Sequence, residues 1–308
     1  MPGAPAVSSI EALGDPKLAA LAGILRELGH VAVAYSGGAD SAFLLKAARE
    51  VLGERAVGVL GFSESLDRNE FEAARRVADA MGVPLKVIET REYDNPLYRK
   101  NDRERCYHCK SELFEKVVEF ARAEGIPHVL DGSNFDDLKD YRPGMRARGE
   151  KGVRSPLQEA GLTKEEIRRH SRALGIPTWD KPAAPCLSSR IPYGTEVTQE
   201  KLRQIEAAEA VLRALGFREV RVRHHGEVAR IEIPLADLPR LLEPAARQAA
   251  VEGLKRAGFL YVALDLQGLR SGSLNEMLSG QGMLAGGETR TPPPGGSAFV
   301  EASKIQIL

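Results

Sequence analysis

Apolar residues recur at Leu18, Leu21, Ile24, Leu25 and Leu28, the spacing of one face of a helix. Asp15-Pro16 ahead of them reads as an N-cap followed by proline at the first helical position, and Gly29 stops the run. Val31-Ala32-Val33-Ala34-Tyr35 is a short apolar run, the signature of a buried strand. The same alternation predicts helices over about 41–52, 69–81 and 109–124, and strands over 56–60, 85–89 and 128–130. Strands alternating with helices and bounded by glycines specify βαβ units, so the expected class is α/β with a parallel sheet covered by helices on both faces.

Residues 134–193 break the rhythm. They are rich in Pro, Gly, Asp and Arg, and one helix over 164–174 is announced by Thr163 and Glu166, a capping box. The remainder reads as long loops, which in a compact domain are usually lids or binding segments. After Gly194 the pattern changes again. A helix over 199–215 precedes two alternating strands, 220–223 and 228–233, joined by His224-His225-Gly226-Glu227 as a β-hairpin. Helical segments to Arg256 and a strand over 261–264 complete a smaller α+β domain. The expected division is a first domain over 1–195, a small domain over 196–278, and a Gly/Pro-rich tail over 279–308 that is expected to be mobile.

The 308 residues suffice for two domains, and 43% hydrophobic against 28% charged residues excludes wholesale disorder. Lys and Arg number 43, as do Asp and Glu. A zero balance argues against a general nucleic-acid or membrane-surface binder, which needs a basic excess. No apolar stretch is long enough to cross a bilayer, and no leader pattern is visible at the N-terminus, so the cytoplasm is the expected location. Three cysteines are too few for a disulfide scaffold, which makes each a candidate for chemistry.

The sharpest motif is Ser36-Gly37-Gly38-Ala39-Asp40-Ser41, set between a buried strand and a helix. Glycines bring backbone N–H groups close to an anion, and the helix N-terminus aims its dipole at the same point. Ser36 and Ser41 offer hydroxyls to phosphate oxygens; Asp40 holds a Mg²⁺ ion bridging phosphates, or caps the helix. The Walker pattern and the dinucleotide fingerprint are both absent. Cys106 and Cys109 form a C-x-x-C, and Cys186 stands alone in Pro185-Cys186-Leu187-Ser188-Ser189-Arg190. A redox pair, half of a zinc site, three ligands of a [4Fe–4S] cluster and plain buried thiols all remain open. Arg103, Arg105, Lys110 and Arg190 nearby oppose the last of these. Arg221 and Arg223 share one strand face, with Arg230 and Glu232 opposite. Guanidinium forks suit phosphate or carboxylate, yet pattern alone favours a solvated sheet face. The loop from Tyr141 to Arg148 is also basic.

Taken together, SGGADS, RCYHCK, DGSNFDDLKDYRPG, PCLSSRIPYGTEVT, RVRHHGEVARIEI and GLRSGSLNE resemble the LarE family. These are ATP-dependent sulfur transferases of the PP-loop pyrophosphatase superfamily, which serve biosynthesis of a nickel-pincer nucleotide cofactor. The resemblance spans about residues 10–280. It implies a PP-loop fold in which Ser36, Gly37, Gly38, Asp40 and Ser41 take ATP and Mg²⁺, joined by Gly132 and Asn134. It implies a pyridinium mononucleotide bearing two carboxylates as substrate, one of them adenylated with release of pyrophosphate. Cys186 matches the sulfur-donating cysteine, so Cys186 and Asp40 are the implied catalytic residues. Arg221 and Arg223 match a pair that binds the substrate phosphate, and Arg190, Arg270 and Glu232 lie in matching substrate-side motifs. Members with a C-x-x-C imply a [4Fe–4S] cluster on Cys106, Cys109 and Cys186; members without it give up the cysteine sulfur and keep dehydroalanine. Homo-oligomers, hexamers in particular, are implied, with no stable nucleic-acid or membrane partner. A tRNA thiolase, an ammonia-using NAD- or GMP-synthetase-like ligase and a non-catalytic nucleotide or metal carrier stand as alternatives.

Overall fold

Asp15 accepts a hydrogen bond from the Lys17 N–H at 2.9 Å and Pro16 occupies the first turn, which starts helix α1 (Pro16–Leu28). The chain continues through β1 (Val31–Ala34), α2 (Ala39–Leu52), β2 (Ala56–Phe62), α3 (Arg68–Ala80), β3 (Leu85–Glu89), α4 (Pro96–Arg99), α5 (Arg105–Ala123) and β4 (His128–Asp131). Next come α6 (Pro143–Glu150), α7 (Pro156–Glu159) and α8 (Lys164–Ala173). The last elements are α9 (Gln199–Ala214), β5 (Arg221–His225), β6 (Val228–Glu232), α10 (Leu238–Leu242), α11 (Pro244–Arg256) and β7 (Tyr261–Leu264). This computed structural model describes residues 9–139, 143–182, 184–270 and 273–275. The tail expected to be mobile, and Tyr141 and Arg142 of the basic loop, lie outside the described residues. Met1–Ser271 forms one unit and Gly272–Leu308 another, of which only the single turn Ser273–Asn275 is described.

The first sheet has strand order β3-β2-β1-β4, and all its strands are parallel, with Val31 opposite Ala56 on one side and His128 on the other. Alternate residues of the central strands face opposite ways. Val31 and Val33 pack with Leu21 and Leu25 of α1, Phe43 and Leu44 of α2, and Ile167 of α8. Ala32, Val59 and Val129 pack on the other face with Phe114 and Val117 of α5 and Ala147 of α6. Helix α2 is the centre of the first core, with Phe43, Leu44, Leu45, Ala47 and Ala48 all buried. The parallel sheet sandwiched by helices is therefore present as expected. No helix among the described residues is long and apolar enough to cross a membrane.

The second sheet has order β5-β6-β7, antiparallel then parallel. Phe217, Val222, Ile231, Ile233, Leu254 and Phe259 form its own core with Ala208 and Leu212 of α9. The hairpin is tighter than the alternation suggests. His224 and His225 continue β5, and Gly226-Glu227 alone make the turn, so that His225 pairs with Val228. Helix α5 begins at Arg105, four residues before the expected start, because the apolar stripe that marks it in sequence appears only from Leu113 and Phe114 onward. Residues 134–193 contain α6, α7 and two 3-10 turns besides the expected helix.

The capping box of α8 is formed. Glu166 accepts from the Thr163 N–H at 2.9 Å and the Glu166 N–H donates to Thr163 Oγ1 at 3.3 Å. The Lys17 ammonium, at 2.8 Å, and the Thr163 backbone lower the Glu166 carboxyl to about 2. A carboxyl depressed in the folded state stabilises above its unfolded value and loses that contribution as pH falls through its folded value. Glu166→Gln should therefore lower the melting temperature at pH 7. The gap from wild type should close as pH drops from roughly 4.3 to about 2.

Gly132, just past β4, lies against the start of α2. A Cβ there would sit 2.8 Å from the Ser41 amide nitrogen and Cα, backbone atoms that cannot swing aside. Gly132→Ala should cost about 1–3 kcal/mol in urea unfolding, since it forces β4 away from the glycine loop.

Candidate active site

The chain leaves β1 through Tyr35, whose hydroxyl donates to the Ala74 carbonyl at 3.0 Å and fixes the strand end against α3. Gly37 then adopts φ 72°, and a Cβ on it would lie 2.5 Å from Ala74 Cβ. The glycine is thus required twice, by its backbone angle and by the approach of α3. Gly38 is the N-cap of α2 without any side-chain cap, so the first N–H groups of the helix stay available. Ser41 closes the loop on itself: its Oγ accepts from the Ser36 N–H at 3.2 Å, lies 3.0 Å from Ser36 Oγ and donates to the Gly38 carbonyl. The result is a glycine turn leading into a helix N-terminus with no side-chain cap, an arrangement that could hold a phosphate.

Asp40 lies in the first turn of α2. One of its oxygens accepts from Asn134 Nδ2 at 3.1 Å; the other is buried and has no partner among the described residues. Burial raises the Asp40 carboxyl above its ordinary value, although the Asn134 bond works the other way. A buried carboxylate oxygen without a donor suits a cation brought in with phosphate. Gly132 and Asn134 thus meet Ser41 and Asp40 across the end of β4.

Cys186 precedes the 3-10 turn Leu187–Arg190 and is half-buried. Its loop is held from several directions. The Leu187 N–H donates to the Ser65 carbonyl, and Tyr98 Oη and Ser188 Oγ lie 2.5 Å apart. Arg190 donates to Glu209 through Nε at 2.7 Å and Nη2 at 3.1 Å, and its Nη1 reaches the Pro185 and Cys186 carbonyls and Ser189 Oγ. Arg190 therefore wraps the Cys186 loop and spends its fork internally. Cys106 and Cys109 lie in the first turns of α5, Cys106 exposed and Cys109 half-buried beside Tyr98, Leu187 and Ile191. Arg105 joins the two thiol segments: it donates to the Ser188 carbonyl at 2.8 Å and to Cys106 Sγ at 3.7 Å. Burial opposes its charge, but the Cys186 and Cys106 thiols more than offset that. The Cys109 thiol is pushed well up by burial first, then by Glu92 and Cys186. Among the described residues no three His, Cys, Asp or Glu side chains are gathered as a single metal ion requires.

On the hairpin, Arg221 stands opposite Glu232 and Arg223 opposite Arg230. The two pairs do not behave alike. Arg223 is buried and binds Glu232 with Nε and Nη2 at 2.9 and 2.8 Å, while Nη1 donates to the Ser189 carbonyl at 2.7 Å. Arg230 adds a third donor to Glu232. Arg221 Nη1 donates to the Arg270 carbonyl at 3.0 Å. Burial, then the charges of Arg223 and Arg190, lower its guanidinium below the usual value. A cation disfavoured by its own neighbours is where an anion gains most. Arg270 enters here through its backbone.

Four residues that matter were not evident in sequence. Glu209 is fully buried and accepts from Arg190, from Arg213 at 2.8 Å and from the Val222 N–H at 3.0 Å. Its one visible signal is a charge inside the apolar stripe Leu202, Ile205, Ala208, Leu212. Asn101 is buried with φ 58° and donates to the Pro192 and Thr195 carbonyls at 2.8 Å. Glu92 accepts from Ser63 Oγ and Ser65 Oγ at 2.5 and 2.6 Å. Lys181 donates to the Gly37 carbonyl at 3.0 Å across 144 residues. The segment that carries Cys186 thus touches the phosphate loop at one end, through Lys181, and the hairpin at the other, through Ser189.

Comparison with known proteins adds three likenesses. An uncharacterized protein of Synechocystis sp. is 45% identical over 265 residues, 86% of this chain and 99% of that one. Pyridinium-3,5-bisthiocarboxylic acid mononucleotide synthase of Lactiplantibacillus plantarum is 39% identical over 264 residues, 85% of this chain and 95% of that one. Argininosuccinate synthase of Methylococcus capsulatus is 28% identical over 164 residues, 48% of this chain and 40% of that one. No protein-family model matches the chain.

Removing one partner of a buried ion pair strands the other charge. Glu209→Gln should therefore lower unfolding free energy by roughly 3–5 kcal/mol, read from urea denaturation. Arg190→Met with Glu209→Leu should recover a large part of that loss, because no charge is then left buried alone.

Proposed function

The chain belongs to the LarE family of pyridinium-3,5-bisthiocarboxylic acid mononucleotide synthases, and on that footing we propose that it is an ATP-dependent sulfur transferase. It adenylates a carboxylate of the pyridinium biscarboxylic acid mononucleotide and turns it into a thiocarboxylate. One arrangement supports this above all: the Cys186 segment makes contact with both the phosphate loop and the arginine hairpin. Residues 1–195 would carry ATP, and residues 196–278 the substrate phosphate and any assembly into homo-oligomers.

The chemistry follows from the side chains. Loop N–H groups and the N-terminus of α2 hold the outer phosphates. The unpartnered Asp40 oxygen fits a Mg²⁺ ion, which when bound neutralises phosphate charge. A substrate carboxylate oxygen attacks the α-phosphorus, and the bond from that phosphorus to the bridging oxygen breaks, releasing pyrophosphate. AMP is now the leaving group on the acyl carbon. Arg221, short of partners and pressed by neighbouring cations, takes the substrate phosphate, while Arg223 and Glu232 fix the hairpin. A sulfur nucleophile at the Cys186 loop then displaces AMP from the acyl carbon.

The donor set suits a [4Fe–4S] cluster on Cys106, Cys109 and Cys186. Arg105 ties the two thiol segments together, and the sequence has no fourth cysteine to close the fourth iron. The three cysteines would each hold one iron, a different demand from that of a single ion. When bound, the cluster would supply sulfide at the open iron. A second reading rests on Cys186 alone, the lone cysteine of its loop. Cys186 itself then forms the thioester, a base removes its Cα proton, and the Cβ–S bond breaks. Thiocarboxylate leaves and dehydroalanine stays.

Anaerobic protein given Mg-ATP and the biscarboxylate nucleotide should yield AMP, pyrophosphate and thiocarboxylate, measured by mass spectrometry together with the Cys186 peptide. Thiocarboxylate formed with Cys186 intact supports the cluster reading. A peptide lacking the elements of H₂S supports the sacrificial one. Absence of thiocarboxylate from both iron-loaded and iron-free protein overturns the sulfur-transfer reading.

A further inference from the structure

A phosphate loop that turns ATP over needs positive charge beside the departing pyrophosphate, and this loop has none of its own. From Tyr35 to Leu45 there is no Lys or Arg. The lysine that closes a Walker loop is missing as well. The structure supplies a cation from far along the chain. Lys181 Nζ lies 3.0 Å from the Gly37 carbonyl, at the left-handed residue of the loop, and 2.8 Å from Glu70 Oε2. Its side chain is only 20% exposed. An ammonium has three donors, and Gly37 and Glu70 account for two.

The position is built from three sides. Arg168 Nη2 donates to the Lys181 carbonyl at 2.8 Å, and the Lys181 N–H donates to the Thr178 carbonyl at 3.0 Å, which fixes the backbone. Glu70 stands on α3, the helix whose Ala74 packs on Gly37, so the carboxylate that aims the ammonium and the wall that shapes the loop belong to one element. Asp40, the cation-binding side of the loop, follows three residues after Gly37 on the first turn of α2.

We propose that Lys181 is a catalytic residue for adenylation, the loop's displaced lysine, whose third donor engages the nucleoside triphosphate and stabilises charge on the pyrophosphate as the bond to the α-phosphorus breaks. Glu70 is its positioning residue. No proton moves in this step: the ammonium stays charged, and the electron pair of the breaking P–O bond leaves with pyrophosphate. The inference rests on the ATP-dependent reading above and adds to it the group that carries leaving-group charge.

The test compares wild type with Lys181→Met, Lys181→Arg and Glu70→Gln, all as full-length protein. Pyrophosphate release is followed at saturating Mg-ATP and biscarboxylate nucleotide. In parallel, chemically prepared acyl-adenylate is supplied and AMP release is followed. Lys181→Met should lose about 100-fold in kcat for pyrophosphate release, the scale of one preorganised donor, with a much smaller change in KM for ATP. It should consume acyl-adenylate at the wild-type rate. Lys181→Arg should recover part of the loss, and Glu70→Gln should show a smaller defect of the same kind. Equal losses on ATP and on acyl-adenylate would overturn the proposal, because Lys181 would then merely brace the Cys186 segment. Retention of kcat within about threefold would do the same, that being under 1 kcal/mol. If Lys181→Met does not fold, the Lys181→Arg and Glu70→Gln rates on the two substrates decide by the same contrast. A wild type that releases no pyrophosphate overturns the ATP-dependent reading itself, which separates that failure from failure of the lysine assignment.

Discussion

A single buried carboxylate holds the candidate site in one piece. Glu209 lies in the apolar stripe of α9 and accepts hydrogen bonds from Arg190, Arg213 and the backbone of Val222. Arg213 in turn reaches Asp67, the N-cap of α3. A charge with no exposure tolerates no vacancy among its donors. The Cys186 loop, the first strand of the hairpin and the helix behind the phosphate loop are therefore tied to one point, and none of them can shift without stranding a charge. Ion pairs of this kind add little net stability. Their effect is geometric, since they fix where the Cys186 loop stands.

The phosphate loop follows a different logic. It carries no cationic side chain within itself and relies on backbone donors, a glycine that packs closely against α3, and a second glycine that lets β4 approach Ser41. Parallel sheets place their ligand crevice at the carboxyl ends of the strands. Here that end gathers the loop after β1, Ser63 and Ser65 after β2, Glu92 after β3, and Gly132 and Asn134 after β4. The chemistry-bearing residues are far apart in the chain and adjacent in space because the sheet lines up its strand ends.

The arginines divide by burial, not by residue type. Arg190 and Arg223 saturate their forks on Glu209, Glu232 and loop carbonyls. Arg221, two residues from Arg223 on the same strand face, meets like charges instead. Pattern alone does not separate Arg221 from Arg223, and favours a solvated sheet face for both. Glu232 stands directly opposite Arg221 in the register yet gives both its oxygens to Arg223, so that only one guanidinium of the pair is neutralised.

What the sequence alone determined is whatever depends on neighbours in the chain. The helix caps at Asp15 and Thr163, the alternation of strand and helix, the parallel class and the glycine loop with Asp40 were all legible, because hydrogen bonds and periodicity within a few residues decide them. Tertiary structure decided the rest. The early start of α5 and the tight Gly226-Glu227 turn depend on packing that local pattern does not encode. Lys181 reaches Gly37 across 144 residues, Arg190 meets Glu209 across 19 and Asn101 meets Thr195 across 94. No local rule relates such pairs. Burial removes water as the competing partner, and only the folded chain determines which donor must then find which acceptor.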